Sequence, residues 1–242
     1  MKFKFTTTIF TVVLLSYTTT TIAQENKNIV KLNLSSLIFT NISLQGEHVL
    51  NDNSSVALGI SYMPKRGVPN IAADKDTTGN ADNFSYSGFS ITPEYRYYFS
   101  GKAPKGFYAA AYFRYSHLPT KDWDYIYDDN GKKTTYKISG AWDVAVVGVM
   151  IGSQWTLGDH FTFDWWILGA GFGKNSSVYE GTGPLTASQQ TSIKNTIEEN
   201  KDALVVGDID YEVTSNSVKV EIKSGLPAIR AFGLCLGYVF GN

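Results

Sequence analysis

Apolar and polar side chains alternate at every second position in several segments of this chain. From Gly88 to Phe99, the sequence GFSITPEYRYYF places apolar and aromatic residues at the odd positions and mainly small, polar or charged residues at the even ones. The segments from Ser55 to Met63 and from Phe107 to Ser116 repeat this pattern. Because successive side chains of a strand point to opposite faces, a period of two predicts β-strands with one apolar and one polar face.

The connections between these segments alternate in length. Short, turn-like sequences near Asn51, Ser100 and Leu157 alternate with long polar insertions at 65–83, 119–135 and 174–223. The segments number eight, near residues 29–38, 41–50, 54–63, 86–99, 106–117, 136–156, 160–173 and 226–240. Alternating segments of about ten residues, with short turns on one side and long loops on the other, are typical of outer-membrane barrels. The sequence therefore predicts an all-β fold, an eight-stranded antiparallel up-and-down transmembrane β-barrel.

Two local irregularities are also predicted. The polar positions change phase along the segment 138–157, and a β-bulge near Gly148 would reconcile them. In the last long loop, Thr186 and Gln189 form a capping-box pattern that predicts a short helix over residues 187–202. The following sequence DYEVTSNSVKVEI predicts a hairpin. Such a structured extracellular loop is where a ligand would bind, or else it caps the mouth of the barrel.

Seven charged side chains fall on the polar faces of the predicted strands. They are Lys31, Glu47, Glu94, Arg96, Arg114, Asp143 and Asp164. The interior of an eight-stranded barrel is just wide enough for side chains, whereas a cation facing the middle of the bilayer costs roughly 2–4 kcal/mol. We therefore expect all seven inside the barrel as a charged network, three positive against four negative. The alternative is a soluble, lipocalin-like barrel with the apolar face inside.

The N-terminus has the three-part pattern of a secretory signal. Lys2 and Lys4 precede an apolar run, and small residues end at Ala23, so we expect a signal peptide at 1–23 and a barrel domain at 24–242, located in the outer membrane. Without these two lysines the chain has 19 basic and 22 acidic residues. The resulting small negative net charge gives no global attraction to nucleic acid. A single cysteine, Cys235, rules out an internal disulfide framework.

The end of the chain alternates towards an aromatic residue close to the C-terminus. Leu236, Tyr238 and Phe240 resemble the signal that outer-membrane barrels present to the barrel-insertion machinery. With KLNLSSL, EHVLNDNSSVALGISYMP, EYRYYF and DWWILGAGFG, the mature chain resembles an uncharacterised family of small outer-membrane β-barrels common in Bacteroidota, of the OmpA/OmpX-like architecture. This resemblance carries no catalytic residues. For such a barrel we expect contact with outer-membrane lipid and lipopolysaccharide.

No catalytic, cofactor or metal site is predicted. Ser116 and His117 are adjacent, so a strand would point them to opposite faces, and His48 and His160 have no partner ligand at metal-binding spacing. We expect a monomeric outer-membrane barrel with a structural or surface-binding role, which could take an extracellular ligand through its long loops. One alternative is a narrow porin-like channel for small solutes. Another is a lipid-modifying enzyme, in which Ser116 or His117 would have to face a groove.

Overall fold

The chain folds into one continuous antiparallel sheet. In the computed structural model, the described residues are 27–67, 85–129, 132–201 and 207–240. Their elements, in chain order, are β1 (Asn28–Asn33), α1 (Leu34–Ile38), β2 (Ile42–Asn51), β3 (Ser54–Gly67), β4 (Ser85–Tyr98), β5 (Gly106–Asp129), β6 (Lys132–Leu157), β7 (Phe161–Thr182), α2 (Ala187–Lys201), β8 (Gly207–Val213) and β9 (Ser217–Phe240). Neither of the described helices is long and apolar enough to cross a membrane.

Eight of the strands close into a ring. The strand order is β1 to β7 followed by β9, and β1 pairs with both β2 and β9. Asn28, for example, lies opposite His48 on one side and Phe240 on the other. The pairing of β1 with β9 leaves this ring without a free edge. Strands in a lipid environment require such closure. The predicted eight-stranded antiparallel barrel is confirmed, as is the short helix in the last long connection.

The first predicted strand, 29–38, is too long. β1 ends at Asn33, and residues Leu34–Ile38 form the helix α1. The Asn33 side chain accepts a hydrogen bond from the Ser36 amide at 3.0 Å, which is the local bond of a helix N-cap and competes with strand pairing. The Ser35 hydroxyl in turn accepts a hydrogen bond from the Leu234 amide at 3.2 Å. Helix α1 therefore lies against β9 just beyond the residue at which β1 ends.

Two of the three predicted loops contain long strand segments. β5 and β6 have 24 and 26 residues, although about ten residues suffice to cross a membrane. The predicted loops 119–135 and 174–223 therefore extend the β5–β6 hairpin and strands β7 and β9, with β8 added at the edge. We call this part, residues 118–129, 132–142, 177–182, 207–213 and 217–222, the external sheet. The predicted loop 65–83 lies mostly outside the described residues.

The outer wall of the barrel is apolar. On β6, Val147, Val149 and Ile151 are 61%, 64% and 50% exposed, whereas the alternating residues Val146 and Met150 are 6% and 2% exposed. The same arrangement holds on β2, where Ser43, Gln45 and Glu47 are buried between exposed neighbours. Large apolar side chains thus surround the barrel, and its interior combines buried polar and charged side chains with a smaller set of aromatic and apolar ones. This is the reverse of the soluble barrel with an apolar interior.

The β-bulge lies one strand away from the predicted position. β6 stays in register with β5 through Gly148. The shift occurs between β6 and β7, where Ile151 faces Leu168 but Gly152 faces Trp166, so that Ile167 is skipped. On β9, Phe232 is skipped at the same level and has a φ of 54°. The irregularity therefore runs across β7 and β9 and reverses the inside and outside positions of both strands.

Large aromatic side chains inside the barrel lie over glycines of the neighbouring strand. Tyr108 faces Gly152 and Tyr112 faces Gly148 across the β5–β6 pairing, and Trp166 faces Gly233 across β7 and β9. A Cβ added at Gly152 would lie 2.4 Å from the Tyr108 ring, and one at Gly233 would lie 2.2 Å from the Trp166 ring. The narrow lumen accepts these rings because the residue opposite each has no side chain.

Candidate functional site

Asp164 is the central acceptor of an ion-pair network in the middle of the barrel. Its Oδ2 atom lies 2.7 Å from Lys31 Nζ and 2.7 Å from Arg96 Nη1. Its Oδ1 atom accepts a hydrogen bond from the Tyr108 hydroxyl at 2.7 Å. These residues come from β7, β1, β4 and β5. The position of Asp164 between aromatic residues in the sequence is thus explained. Phe163 and Trp165 lie on the opposite face of β7, and Trp166 donates a hydrogen bond to the carboxylate.

Glu47 and Glu94 supply the other negative charges of the network. Glu47 lies 2.6 Å from Lys31 Nζ and accepts a hydrogen bond from the Tyr98 hydroxyl at 2.6 Å. Glu94 lies 2.8 Å from Arg96 Nη2. Lys31 therefore contacts two carboxylates and Arg96 contacts three, while Glu47 and Asp164 each also accept a hydrogen bond from a tyrosine hydroxyl. Buried charges need both kinds of partner to compensate for the loss of water.

Arg230 adds a further cation to this network. Its Nη1 atom lies 2.6 Å from Glu94 Oε1, and its guanidinium lies 4.1 Å from the centre of the Trp166 ring. A guanidinium over an indole face gains a cation–π attraction as well as the ion pair. We call Lys31, Glu47, Glu94, Arg96, Asp164 and Arg230 the lumen network.

The lumen network closes the barrel at its level. Lys31, Arg96 and Asp164 have no solvent-accessible surface, and the adjacent Tyr98 and Tyr108 are 0% and 1% exposed. The two tyrosine rings lie 5.3 Å apart between centroids. Since a water-sized sphere reaches none of these side chains, no open aqueous path passes beside them.

The structure brings five of the seven predicted interior residues into mutual contact. Lys31, Glu47, Glu94, Arg96 and Asp164 all belong to the lumen network. Arg114 also points inwards, but its Nε atom donates to the Thr92 hydroxyl at 3.1 Å and reaches no carboxylate of the network. The seventh predicted residue, Asp143, is elsewhere.

Asp143 lies on the outer surface, which corrects its predicted position. Because no bulge interrupts β6 at Gly148, Asp143 keeps the outward parity of Val147 and Val149. It contacts His117 Nδ1 at 2.8 Å and the Tyr115 hydroxyl at 2.6 Å. It belongs to an outward-facing row that crosses the sheet at one level: Tyr62, Phe89, His117, Asp143, Ser176, Lys223 and Asp208. This row marks the upper limit of the apolar wall.

Arg230 was not predicted as an interior residue because the two-residue period of β9 is interrupted at Phe232. The outward residues Leu236 and Tyr238 predict that every even position of β9 faces outwards. The skipped residue Phe232 changes that phase, so Arg230 faces inwards. With Arg230 included and Asp143 removed, the described part of the barrel interior holds four cations and three carboxylates. The unfavourable energy of an arginine facing lipid was the signal that could have located it.

The outward row contains His, Asp and Ser, but not in a nucleophilic arrangement. Asp143 lies between His117 and Ser176 in the register of β5, β6 and β7. A serine nucleophile needs the imidazole next to it, with the carboxylate behind the imidazole. Ser116 faces Ser90 on the opposite side of the sheet from His117. Neither serine is therefore placed for activation by His117.

The remaining histidines make ordinary surface contacts. His48 Nδ1 lies 2.8 Å from the Asn28 side chain, and the His160 ring stacks on Tyr238 at 5.7 Å. Within residues 27–67, 85–129, 132–201 and 207–240, no three His, Cys, Asp or Glu side chains are grouped so that they could hold a metal ion.

Helix α2 begins with a capping box and contacts strand β8 of the external sheet near its end. At its start, Gln189 accepts a hydrogen bond from the Thr186 amide at 2.9 Å, and Gln189 donates its own amide to the Thr186 hydroxyl at 3.3 Å. This is the predicted capping box. At its end, Glu198 accepts a hydrogen bond from the Tyr211 hydroxyl of β8 at 2.5 Å. The helix is thus held across the inner face of the external sheet.

The contact between Glu198 and Tyr211 is expected to weaken in acid. The Tyr211 hydroxyl, and then the Lys201 ammonium, lower the pKa of Glu198 below its ordinary value of 4.5. A carboxyl whose pKa is lowered by folding contributes fully above the unfolded pKa, and its contribution is lost as the pH falls through the lowered pKa. Hydrogen exchange should show the α2 amides better protected in the native protein than in Tyr211→Phe at pH 6, with the difference decreasing as the pH falls below 4.5. Equal protection at pH 6 would contradict this, and Tyr62→Phe is the matched control.

Leu236, Tyr238 and Phe240 form one outward-facing strip at the end of β9. They are 41%, 48% and 48% exposed, and the Tyr238 ring lies against Phe161 with 5.6 Å between centroids. The strip is accessible in the folded barrel. Its role as an insertion signal stays a prediction.

Three solved structures are similar to this chain at low sequence identity. The N-terminal β-barrel domain of OprF from Pseudomonas aeruginosa is 10% identical with a TM-score of 0.28, and the alignment covers 89% of this chain and 98% of that one. A major outer membrane protein from Thermus thermophilus is 14% identical with a TM-score of 0.37, covering 90% and 100%. The outer membrane protease OmpT from Escherichia coli is 9% identical with a TM-score of 0.28, covering 89% and 93%. No residue role is carried over at these values.

No curated protein matches the chain. A family model described as a protein of unknown function, DUF3575, matches residues 8–204. The match covers the larger part of the 242 residues, from the N-terminal segment through α2. The chain therefore belongs to the DUF3575 family.

Proposed function

We propose that the protein is a closed outer-membrane β-barrel that holds an external sheet at the cell surface, where the sheet binds an extracellular ligand. In this proposal the barrel is a monomeric, non-catalytic anchor. Residues 1–23 direct export, and Leu236, Tyr238 and Phe240 are read by the barrel-insertion machinery. The observation that carries the proposal is the inversion of polarity, with an apolar wall outside and a charge-paired network inside.

The height of the apolar wall supports a membrane location. Asp143 and Trp155 lie twelve residues apart on β6, and the outward residues between them are apolar or small. At about 3.3 Å per residue and a tilt of about 40°, this separation spans roughly 30 Å along the barrel axis. That height matches the hydrocarbon core of a bilayer. Outer-membrane lipid, including lipopolysaccharide in the outer leaflet, would contact this wall.

The closed lumen favours an anchor over a channel, and conductance decides between them. We expect the purified protein to show no single-channel steps in planar lipid bilayers. The double variant Tyr98→Ala/Tyr108→Ala removes the two rings that cross the lumen and is expected to give small conductance steps under the same conditions. Regular steps from the unmodified protein would overturn the anchor proposal in favour of the narrow channel. Gel-shift on heating verifies that both proteins are folded when they are tested.

A further inference from the structure

A cavity separates α2 from the external sheet. It has a volume of about 460 Å³ and lies beside the first two turns of the helix. Its walls come from β6, β7 and β9 on one side and from α2 and the preceding Leu185 on the other. This volume is within the range of small-molecule sites, roughly 300–1,000 Å³.

The sheet side of the cavity is apolar. Tyr136 and Ile138 of β6, Val218 of β9 and Leu185 line it, with Gly181 of β7 at its base. The Tyr136 hydroxyl donates to the Pro184 carbonyl at 3.0 Å, so the tyrosine presents its ring to the cavity wall with its polar atom occupied. None of the described lining residues is charged. The cavity therefore favours an uncharged occupant.

The helix side of the cavity is polar and small, which a structural cap does not require. Ser188, Gln189, Ser192 and Ile193 are the lining residues of α2, and positions four apart lie on one face of a helix. A helix that only covered an apolar sheet would place large apolar residues at these positions. Here two of the four are serines, and Ile193 remains partly exposed. The space between helix and sheet is consequently not filled by this chain.

We propose that this cavity binds a neutral small molecule with an apolar body and a hydroxyl or carbonyl group. The body lies on Tyr136, Ile138 and Val218, and the polar group meets the hydroxyls of Ser188 and Ser192. No described group takes a hydrogen bond from either of those hydroxyls or gives one to them. The inference rests on the proposed function in that it names the ligand class of the external sheet.

A neutral photolabel tests the cavity directly. The purified full-length protein is labelled with 3-trifluoromethyl-3-phenyldiazirine, and the modified residues are mapped by mass spectrometry of peptides. We expect saturable labelling of the segment 185–193. Excess benzyl alcohol should compete with this labelling, whereas benzoate at the same concentration should not. Labelling of the apolar wall of the barrel serves as an internal reference that neither compound displaces.

Filling the cavity should abolish the labelling. A Cβ at Gly181 would meet Ile138 Cγ1 at 3.6 Å and the Val218 carbonyl at 4.0 Å, both ordinary contacts. Gly181→Leu therefore adds its side chain to the cavity and should reduce labelling of residues 185–193 at least about fivefold. Thr182→Leu, on the opposite face of β7, is the matched control and should label like the unmodified protein. Ser192→Leu fills the cavity from the helix side and provides a second test.

The outcomes separate this inference from the proposed function. Labelling that does not saturate, that persists in both filled variants, or that benzoate displaces equally would overturn the ligand site. Extracellular placement is tested on intact cells by reaction of Ser188→Cys with a membrane-impermeant maleimide, because the native Cys235 is buried. Reaction at Ser188→Cys without saturable photolabelling removes only the ligand site. Absence of reaction on intact cells, with reaction after lysis, removes the proposed function.

Discussion

Asp164→Asn is expected to lower the free energy of unfolding by about 3–5 kcal/mol, because it removes one partner from two buried ion pairs and leaves both cations less compensated. The carboxylate lies 2.7 Å from both Lys31 and Arg96, and an amide at the same place neutralises neither. Glu47 and Glu94 remain, so the fully buried cations keep some partners but lose the carboxylate that lies within 2.7 Å of both of them. Guanidinium unfolding in lipid vesicles, followed by the fluorescence of Trp165 and Trp166, measures the change.

Two further variants identify the cause of that loss. Asp143→Asn removes a carboxylate on the outer surface, where its contact with His117 is partly exposed, and should cost at most about 1 kcal/mol. Combining Asp164→Asn with Lys31→Met restores the native excess of one cation in the barrel interior. The double variant should therefore cost less than the sum of the two single variants. If Asp164→Asn and Asp143→Asn unfold at the same denaturant concentration, the lumen network does not stabilise the barrel.

Gly152→Leu is expected to displace the Tyr108 ring and to destabilise the barrel by about 1–3 kcal/mol, as overpacking of a filled interior does. A Cβ at this position would lie 2.4 Å from the Tyr108 ring and 2.8 Å from the Trp165 carbonyl. The ring cannot move without losing its hydrogen bond to Asp164 and its contact with the Arg96 guanidinium at 4.6 Å. The same unfolding measurement reports the effect.

The matched control for this substitution is Gly46→Leu. A Cβ at Gly46 would meet nothing within 4 Å, and the residue faces the apolar outside of the barrel, so we expect no loss of stability. Shortening the ring should also relieve the conflict: Gly152→Leu with Tyr108→Ala is expected to be less destabilised than the sum of the two single variants. Equal effects at Gly152 and Gly46 would show that the interior tolerates added volume.

The number of strands in the closed ring, and the inside face of most of them, could be predicted from the sequence. Both follow from the period of two and from the energy of placing charges in lipid, which are local properties of each segment. Lys31, Glu47, Glu94, Arg96 and Asp164 were located by these rules alone. The helix α2 was likewise predicted from the capping box at Thr186, within one residue of its observed end at Lys201.

The errors came from features that depend on strand pairing. A bulge is defined between two strands, and a sequence shows only one of them at a time. The phase change in β6 was therefore assigned to Gly148, whereas Ile167 and Phe232 carry it on β7 and β9, which misplaced Asp143 and hid Arg230. The hairpin predicted over residues 210–222 is formed by β8 and β9. The rest of the external sheet was predicted as loop, because polar strands that pair with their neighbours need no apolar face to form.

The lumen network draws its members from both ends of the chain, and this constrains how the barrel can assemble. Lys31 is on the first strand and Arg230 on the last, while their carboxylates are on β2, β4 and β7. An open sheet that has not joined β1 to β9 could keep the pairs Lys31–Glu47 and Arg96–Glu94, but Asp164 and Arg230 would lack the partners that they reach across the barrel. Joining the two edges and neutralising the interior are therefore one event, and partly closed forms should be scarce while the protein enters its membrane.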